Sequence, residues 1–202
     1  MSDAKELVVV DGGMGSIVAC AAARARTLSV GSDGRGPTPI WLDRARLLSD
    51  ASRFDRLFES LGVEPLKQHP DPEVERRGDR PDSLTLLTAT LRAADHGIAH
   101  VVWPIHAGVE GRPSEMDLEL AALHVDTALL VTRLVALDAQ RHRCASIRVE
   151  TPYADFSDRQ LAELALDLGA PFRMAPWWND ASAEEYRRWR GVFEAIGSVA
   201  VG

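Results

Sequence analysis

Asp11-Gly12-Gly13-Met14-Gly15-Ser16 is the stretch of this chain best suited to holding a charged ligand. Glycines at 12, 13 and 15 leave backbone N–H groups free to turn toward one point. A helix starting just behind them adds the positive end of its dipole, and the two together make a cradle for a phosphate or another anion. Tight strand-to-helix turns use glycine for steric reasons as well, so the local residues leave the two readings level. Other groups invite the same question. Asp43 closes a second apolar run, His106 follows an apolar run stopped by Pro104, and Ser157 precedes Asp158 and Arg159. His106 could serve as an acid or base, although a bond to its own loop backbone is the simpler role. Arg76, Arg77 and Arg80 could meet an anion, although a solvated loop is simpler in an acidic chain. Trp177, Trp178, Tyr186 and Trp189 gather three of the five tryptophans near the C-terminus. They read as a base-stacking platform, a protein interface or a hydrophobic staple.

These groups need elements to carry them. Leu7-Val8-Val9-Val10 is a short β-branched run of the kind found in buried parallel strands, and a helix of about Ser16 to Arg26 follows. Pro39 to Leu42 reads as a second strand. Leu47, Leu48, Phe54, Leu57, Phe58 and Leu61 recur at helical spacing from Arg44 until Gly62 stops them. Val63 to Gln68 reads as a third strand, and the Pro- and Gly-punctuated segment 70–81 as a surface loop. Asp82 or Ser83 caps a helix expected to turn Leu84, Leu87 and Leu91 inward and to end near Gly97. Ile98 to Trp103 is the next strand, and 105–113 a loop. A long helical pattern is expected from Ser114 to about Leu137, then a strand from Ser146 to Glu150. Ser157 and Gln160 form a capping-box pattern ahead of the helix 158–168, closed by Gly169. A final amphipathic helix carries Tyr186, Trp189, Phe193 and Ile196. Five alternations of strand and helix predict a Rossmann-like α/β fold: a five-stranded parallel sheet with helices on both faces, then a small helical C-terminal extension.

Composition narrows the function classes. The chain has 202 residues, 46% hydrophobic and 26% charged, with net charge −7. That is ordinary globular composition, and the acidity makes nucleic acid an improbable partner. Cys20 and Cys144 make neither a disulfide framework nor a thiolate zinc site, which favours a reducing, cytoplasmic setting. The longest apolar stretch, Ala128 to Leu137, is broken by Arg133, so no membrane span is expected. The apolar set of the long helix (among it Leu118, Val125, Leu129 and Leu134) is wider than one stripe, which suits burial against a second subunit.

Taken in order, these motifs resemble the PP-loop ATP pyrophosphatases, and among them the 7-cyano-7-deazaguanine synthases of the queuosine pathway. Asp11-Gly12-Gly13-Met14-Gly15-Ser16 stands where that family has Ser-Gly-Gly-X-Asp-Ser. Leu42-Asp43-Arg44 resembles its second strand end, and Arg80-Pro81-Asp82 its Pro-Gly-Arg-Asn segment. Glu150-Thr151-Pro152, Asp155-Phe156-Ser157 and Leu168-Gly169-Ala170-Pro171 are similar to its Glu-Thr-Pro, Asp-Leu-Ser and Leu-Gly-Val-Pro signatures. The resemblance implies a nucleotide-binding domain over 1–170, with 171–202 replacing the family's zinc-binding segment. It implies ATP and magnesium as cofactors, with Asp11, Gly12, Gly13, Met14, Gly15, Ser16 and Asp43 around the phosphates. Arg80, His106, Ser157 and Arg159 would be further pocket residues. It also implies a homodimer, or a partner protein, joined through the helix at 114–137 or the Trp-rich end.

The departures bear on activity. The family's phosphate-contacting Ser is Asp11, its magnesium-side Asp is Gly15, and its Lys after the last signature Ser is Asp158. Arg159 would point about 100° away from that Lys position on a helix. Asp11 reads as a relocated magnesium ligand or, more simply, as a cap of its own turn. Segment 178–190 has no Cys, so no zinc is expected there. The expected function is therefore a diverged synthase-like protein that keeps an anion or nucleotide pocket, lacks full ligase activity and works by binding a ligand or partner. The alternatives are an active ATP-dependent C–N ligase on a deazapurine-like substrate, and an interaction subunit with no ligand. Reverting Asp11→Ser, Gly15→Asp and Asp158→Lys together is expected to raise nucleotide affinity.

Overall fold

The computed structural model describes residues 6–29, 38–42, 54–66, 82–142 and 147–197. Five of its strands form one parallel sheet: β1 (Glu6–Val10), β2 (Thr38–Leu42), β3 (Val63–Pro65), β4 (His100–Val102) and β7 (Arg148–Glu150). Their order is β3-β2-β1-β4-β7, and every pairing is parallel. Helices cover both faces, as expected of a Rossmann-like α/β protein. On one face α1 (Met14–Ser29), α2 (Asp55–Leu61), α5 (Asp158–Asp167) and α6 (Glu184–Ala195) contribute to a core that takes Val8 and Val10 from β1. On the other, α3 (Asp82–Asp95) and α4 (Leu118–His142) pack over Leu7 and Val9. Burial on both sides is why β1 is an unbroken apolar run rather than an alternating one.

Several boundaries differ from expectation, each for a local reason. The helix expected from Ser114 begins later, because Arg112–Met116 is a strand, β6, paired antiparallel with β5 (Gly108–Val109). Gly111 turns that hairpin with φ of 73°. Asp117 starts α4 instead, its carboxylate accepting the Leu120 N–H at 3.0 Å. On α3 the inward stripe is Leu86, Ala89 and Ala93, not the expected leucines. Leu84 and Leu91 stay 41% exposed, while Leu87 is only partly buried. Two alanines on the inner stripe allow a close approach to the sheet that a leucine stripe would hold apart. Strand β3 is shorter than expected within the described residues, and the N-terminal part of the helix expected from Arg44 lies outside them. The capping box at α5 is present: Ser157 Oγ accepts the Gln160 N–H, and Gln160 Oε1 accepts the Ser157 N–H at 2.9 Å.

The C-terminal aromatics form a staple. Phe172 stacks on Phe193 at 4.5 Å between centroids, and Trp178 meets Phe172, Tyr186 and Phe193 edge-on. Trp189 is buried in the same core as α1 and α5. Trp177, Trp178 and Tyr186 pack on these rings while each stays partly exposed.

Helix α4 is apolar over a longer stretch than Ala128 to Leu137. By length and apolarity alone, Leu118–Asp138 would suffice to cross a membrane. Its inner stripe of Ala128, Val131 and Val135 is nonetheless packed into the domain, and Thr132 Oγ accepts the Val149 N–H at 3.0 Å.

Candidate functional site

In an open parallel sheet, ligands bind beyond the C-terminal strand ends where the strand order reverses. Here that point lies between β1 and β4, since the chain runs outward from β1 through β2 to β3 and then outward again from β4 to β7. The Gly-rich turn leaves β1 at this place, and the segment 103–107 leaves β4. A cavity of about 10 Å³ sits between them, lined by Val9, Asp11, Asp82, Thr85, Trp103, Pro104 and Ile105. It has room for about one water molecule.

The turn satisfies its own donors. Gly13 N–H donates to Asp11 Oδ1 at 2.9 Å, and Ser16 Oγ donates to the same oxygen at 2.5 Å. Asp11 N–H in turn donates to Ser16 Oγ at 3.1 Å. The Asp11 carboxylate thus occupies the amide and hydroxyl donors that a bound anion would use. Gly12 adopts φ of 87°, and its carbonyl accepts from Trp177 Nε1 at 2.9 Å, so the C-terminal staple is tied to the turn. Met14 and Ser16 are buried. Gly15 is required by close approach: a Cβ there would lie 2.0 Å from the Pro104 carbonyl oxygen.

A second cluster centres on Asp158, which is 1% exposed at the first turn of α5. Arg188 holds it bidentately, Nε to Oδ2 at 2.8 Å and Nη2 to Oδ1 at 2.7 Å. His106 Nε2 lies 3.0 Å from Oδ1, and Arg188 Nη2 also donates to the Gly108 carbonyl at 2.9 Å. Burial by itself would raise the Asp158 carboxyl, but the hydrogen bonds from His106 and Arg188 outweigh it and hold it below the usual carboxylate range. Burial would lower Arg188, but the hydrogen bond and charge of Asp158, with the charges of Glu185 and Glu110, together raise it above the usual guanidinium value. Gly108 admits this carboxylate; a Cβ there would sit 1.9 Å from Asp158 Oδ1. Beside it, burial raises the Glu185 carboxyl, although Trp189 Nε1 donates to it at 2.6 Å.

The expected site residues therefore separate. Asp11, Gly12, Gly13, Met14, Gly15 and Ser16 form one compact turn, whereas His106 and Ser157 belong to the Asp158 region, where Ser157 is the helix cap. His106 binds a carboxylate rather than its own loop backbone. Arg159 faces away and pairs with Glu163 at 2.8 Å on an exposed side. Asp43 and Arg80 lie outside the described residues. Arg188 was not singled out from the sequence; its only signal was a position next to inward-facing Trp189 on an amphipathic helix. The described residues do not supply the carboxylate and cation set that a magnesium-bound triphosphate would take by resemblance. Gly15 carries no ligand, and Asp158 is neutralised inside the protein. Among the described residues no three His, Cys, Asp or Glu side chains converge as a metal site.

The fold and this crevice define an open α/β protein with a Gly-rich β1–α1 turn at the point where its strand order reverses. No family model matches the sequence, and no curated protein matches it. Among solved structures the chain is similar to the U34-tRNA thiolase NcsA from Methanococcus maripaludis with its 4Fe-4S cluster. The identity is 11% and the TM-score 0.47, over 100% of this chain and 75% of that one.

Proposed function

We propose that this protein is a diverged relative of the 7-cyano-7-deazaguanine synthases that binds a ligand or partner without performing ATP-dependent ligation. The observation that carries this reading is the Asp11 carboxylate seated on the Gly13 N–H and the Ser16 hydroxyl. An incoming phosphate has to displace a group of its own charge from these donors. Gly15 packed on the Pro104 carbonyl and Asp158 paired with Arg188 support the same reading, since each removes a charge that phosphate chemistry would use. Any nucleotide or other anion is held weakly, beside the turn rather than in it, and the protein works in the cytoplasm.

Titration calorimetry with ATP and magnesium, together with a pyrophosphate-release assay on a carboxylated deazapurine, tests this. Binding at millimolar strength or weaker and no pyrophosphate release are expected. Micromolar ATP binding with turnover would overturn the reading in favour of an active C–N ligase.

A further inference from the structure

His106 follows β4 beyond the C-terminal end of the strand, on the side of the sheet where ligands bind. The proton count around Asp158 fixes which of its ring nitrogens is basic. Arg188 Nη2 carries two protons, and gives one to Asp158 Oδ1 at 2.7 Å and the other to the Gly108 carbonyl at 2.9 Å. None is left for His106 Nε2, 3.4 Å away. An ionised carboxylate only accepts, so the 3.0 Å contact between Nε2 and Asp158 Oδ1 places the ring proton on Nε2. In the neutral ring the lone pair is then on Nδ1. That atom has no hydrogen-bond partner among the described residues, and the side chain keeps 15% of its surface open. The ring is also tilted against Trp189, 5.6 Å between centroids, which sets its orientation. A buried carboxylate that selects the tautomer and a packed ring are what an imidazole needs to act as a base.

Glu185 brings the complementary group. Its Oε2 accepts from Trp189 Nε1 at 2.6 Å, so Glu185 and His106 rest on one indole. Burial raises its carboxyl and favours the protonated form, which sets an acid beside a base. The surrounding charge is negative. Asp11 acts through space on Glu185 and Glu110 on Arg188, while the Arg188 cation is committed to Asp158. An anionic substrate is repelled here, and an uncharged one is not.

We propose that His106 and Glu185 form a hydrolytic site for small uncharged carboxylic esters, with His106 Nδ1 as general base, Glu185 as general acid and Asp158 as the positioning residue. Nδ1 takes a proton from water as the water oxygen bonds to the ester carbonyl carbon. The bond from that carbon to the alcohol oxygen then breaks, and the leaving oxygen takes a proton from Glu185. The proton on Nδ1 returns to Glu185 through solvent, so one ester and one water give one acid and one alcohol. The reaction needs no nucleotide and does not depend on what the β1–α1 turn binds.

Nitrophenolate release from p-nitrophenyl acetate by the full chain, with circular dichroism to confirm that each variant folds, gives the test. His106→Gln should lower kcat/KM about a hundredfold, the low end of what a positioned base contributes, and should remove the pH dependence of the rate. His96→Gln, at an exposed histidine just past the end of α3, should change nothing. Asp158→Asn should lower kcat and leave KM unchanged. Glu185→Gln should slow phenyl acetate, whose leaving group needs a proton, about tenfold more than p-nitrophenyl acetate. A wild-type rate no greater than that of free imidazole at the same concentration would overturn the proposal whatever the variants do. A folded His106→Gln protein that keeps the rate, or an equal loss in His96→Gln, would overturn it as well. A burst of nitrophenolate ahead of the steady state would overturn the base role in favour of attack by Nδ1 on carbon. Hydrolysis of the anionic p-nitrophenyl monosuccinate as fast as the acetate would overturn the preference for uncharged esters.

Discussion

Replacing Asp11 by Asn separates charge from shape at the Gly-rich turn. The amide oxygen of Asn can still accept the Gly13 N–H and the Ser16 hydroxyl, now 2.9 and 2.5 Å from Asp11 Oδ1. What disappears is the negative charge. A phosphate oxygen competing for those donors would come within about 4 Å of the carboxylate, and like charges at that range repel by about 1 kcal/mol in water or about 4 kcal/mol near a protein surface. Asp11→Asn should therefore bind pyrophosphate roughly five- to a thousandfold more tightly than the wild type, the lower end prevailing at high salt. Exchanging charge-assisted for neutral hydrogen bonds should cost about 1 kcal/mol of stability, a fall in Tm of about 2–4 °C for a chain of this size. Calorimetric titration of both proteins with pyrophosphate at two salt concentrations, with circular dichroism to confirm folding, measures this. A folded Asp11→Asn protein with unchanged pyrophosphate affinity would refute the idea that the carboxylate guards these donors.

Three further outcomes are expected. Gly15→Ala should destabilise the fold by about 1–3 kcal/mol in urea denaturation, since its Cβ would press on the Pro104 carbonyl rather than on a yielding side chain. Asp158→Ala should cost about 3–5 kcal/mol and lower Tm correspondingly, because it leaves Arg188 charged in a partly buried site without its partner. The same carboxyl gives a pH signature. Its folded pKa is depressed, so its contribution is complete above the unfolded carboxylate range near pH 4 and is lost as pH falls through the lower folded value. Glu185, raised by burial, works the other way, favouring the fold at acidic pH and losing that contribution as pH rises. Acid unfolding of the wild type should thus be steeper below about pH 4 than that of Asp158→Asn, as read by tryptophan fluorescence.

How much of this was legible in the sequence depends on the range of each interaction. Apolar run and glycine stops placed β1, the end of α2 and the capping box of α5, because each of these is decided within a few neighbouring residues. The hairpin β5–β6 was hidden because Arg112–Met116 is polar and half exposed, giving no strand-like apolar alternation. The inward stripe of α3 was misjudged because leucine counts for more than alanine in a hydrophobic pattern, while close packing against a sheet favours the smaller side chain. Asp11 as a cap of its own turn was readable, being a contact across two and five positions. Arg188 was not, since its partners at 106, 108 and 158 come together only after the sheet has formed.

Asp11, Gly15 and Asp158 are each held in place by a neighbour of matching shape or charge. The Asp11 carboxylate is met by Gly13 and Ser16, Gly15 by the backbone of Pro104, and Asp158 by Arg188, His106 and the bare Cα of Gly108. Asp11→Ser, Gly15→Asp and Asp158→Lys together, expected from the sequence to raise nucleotide affinity, should on these contacts lower stability instead. An aspartate at 15 has no room beside the Pro104 carbonyl, and an ammonium at 158 would face the Arg188 guanidinium inside a site 1% exposed. Of the three positions, only 11 can be changed without dismantling the contacts that hold the crevice together, which is why the charge at that position is the informative one to remove.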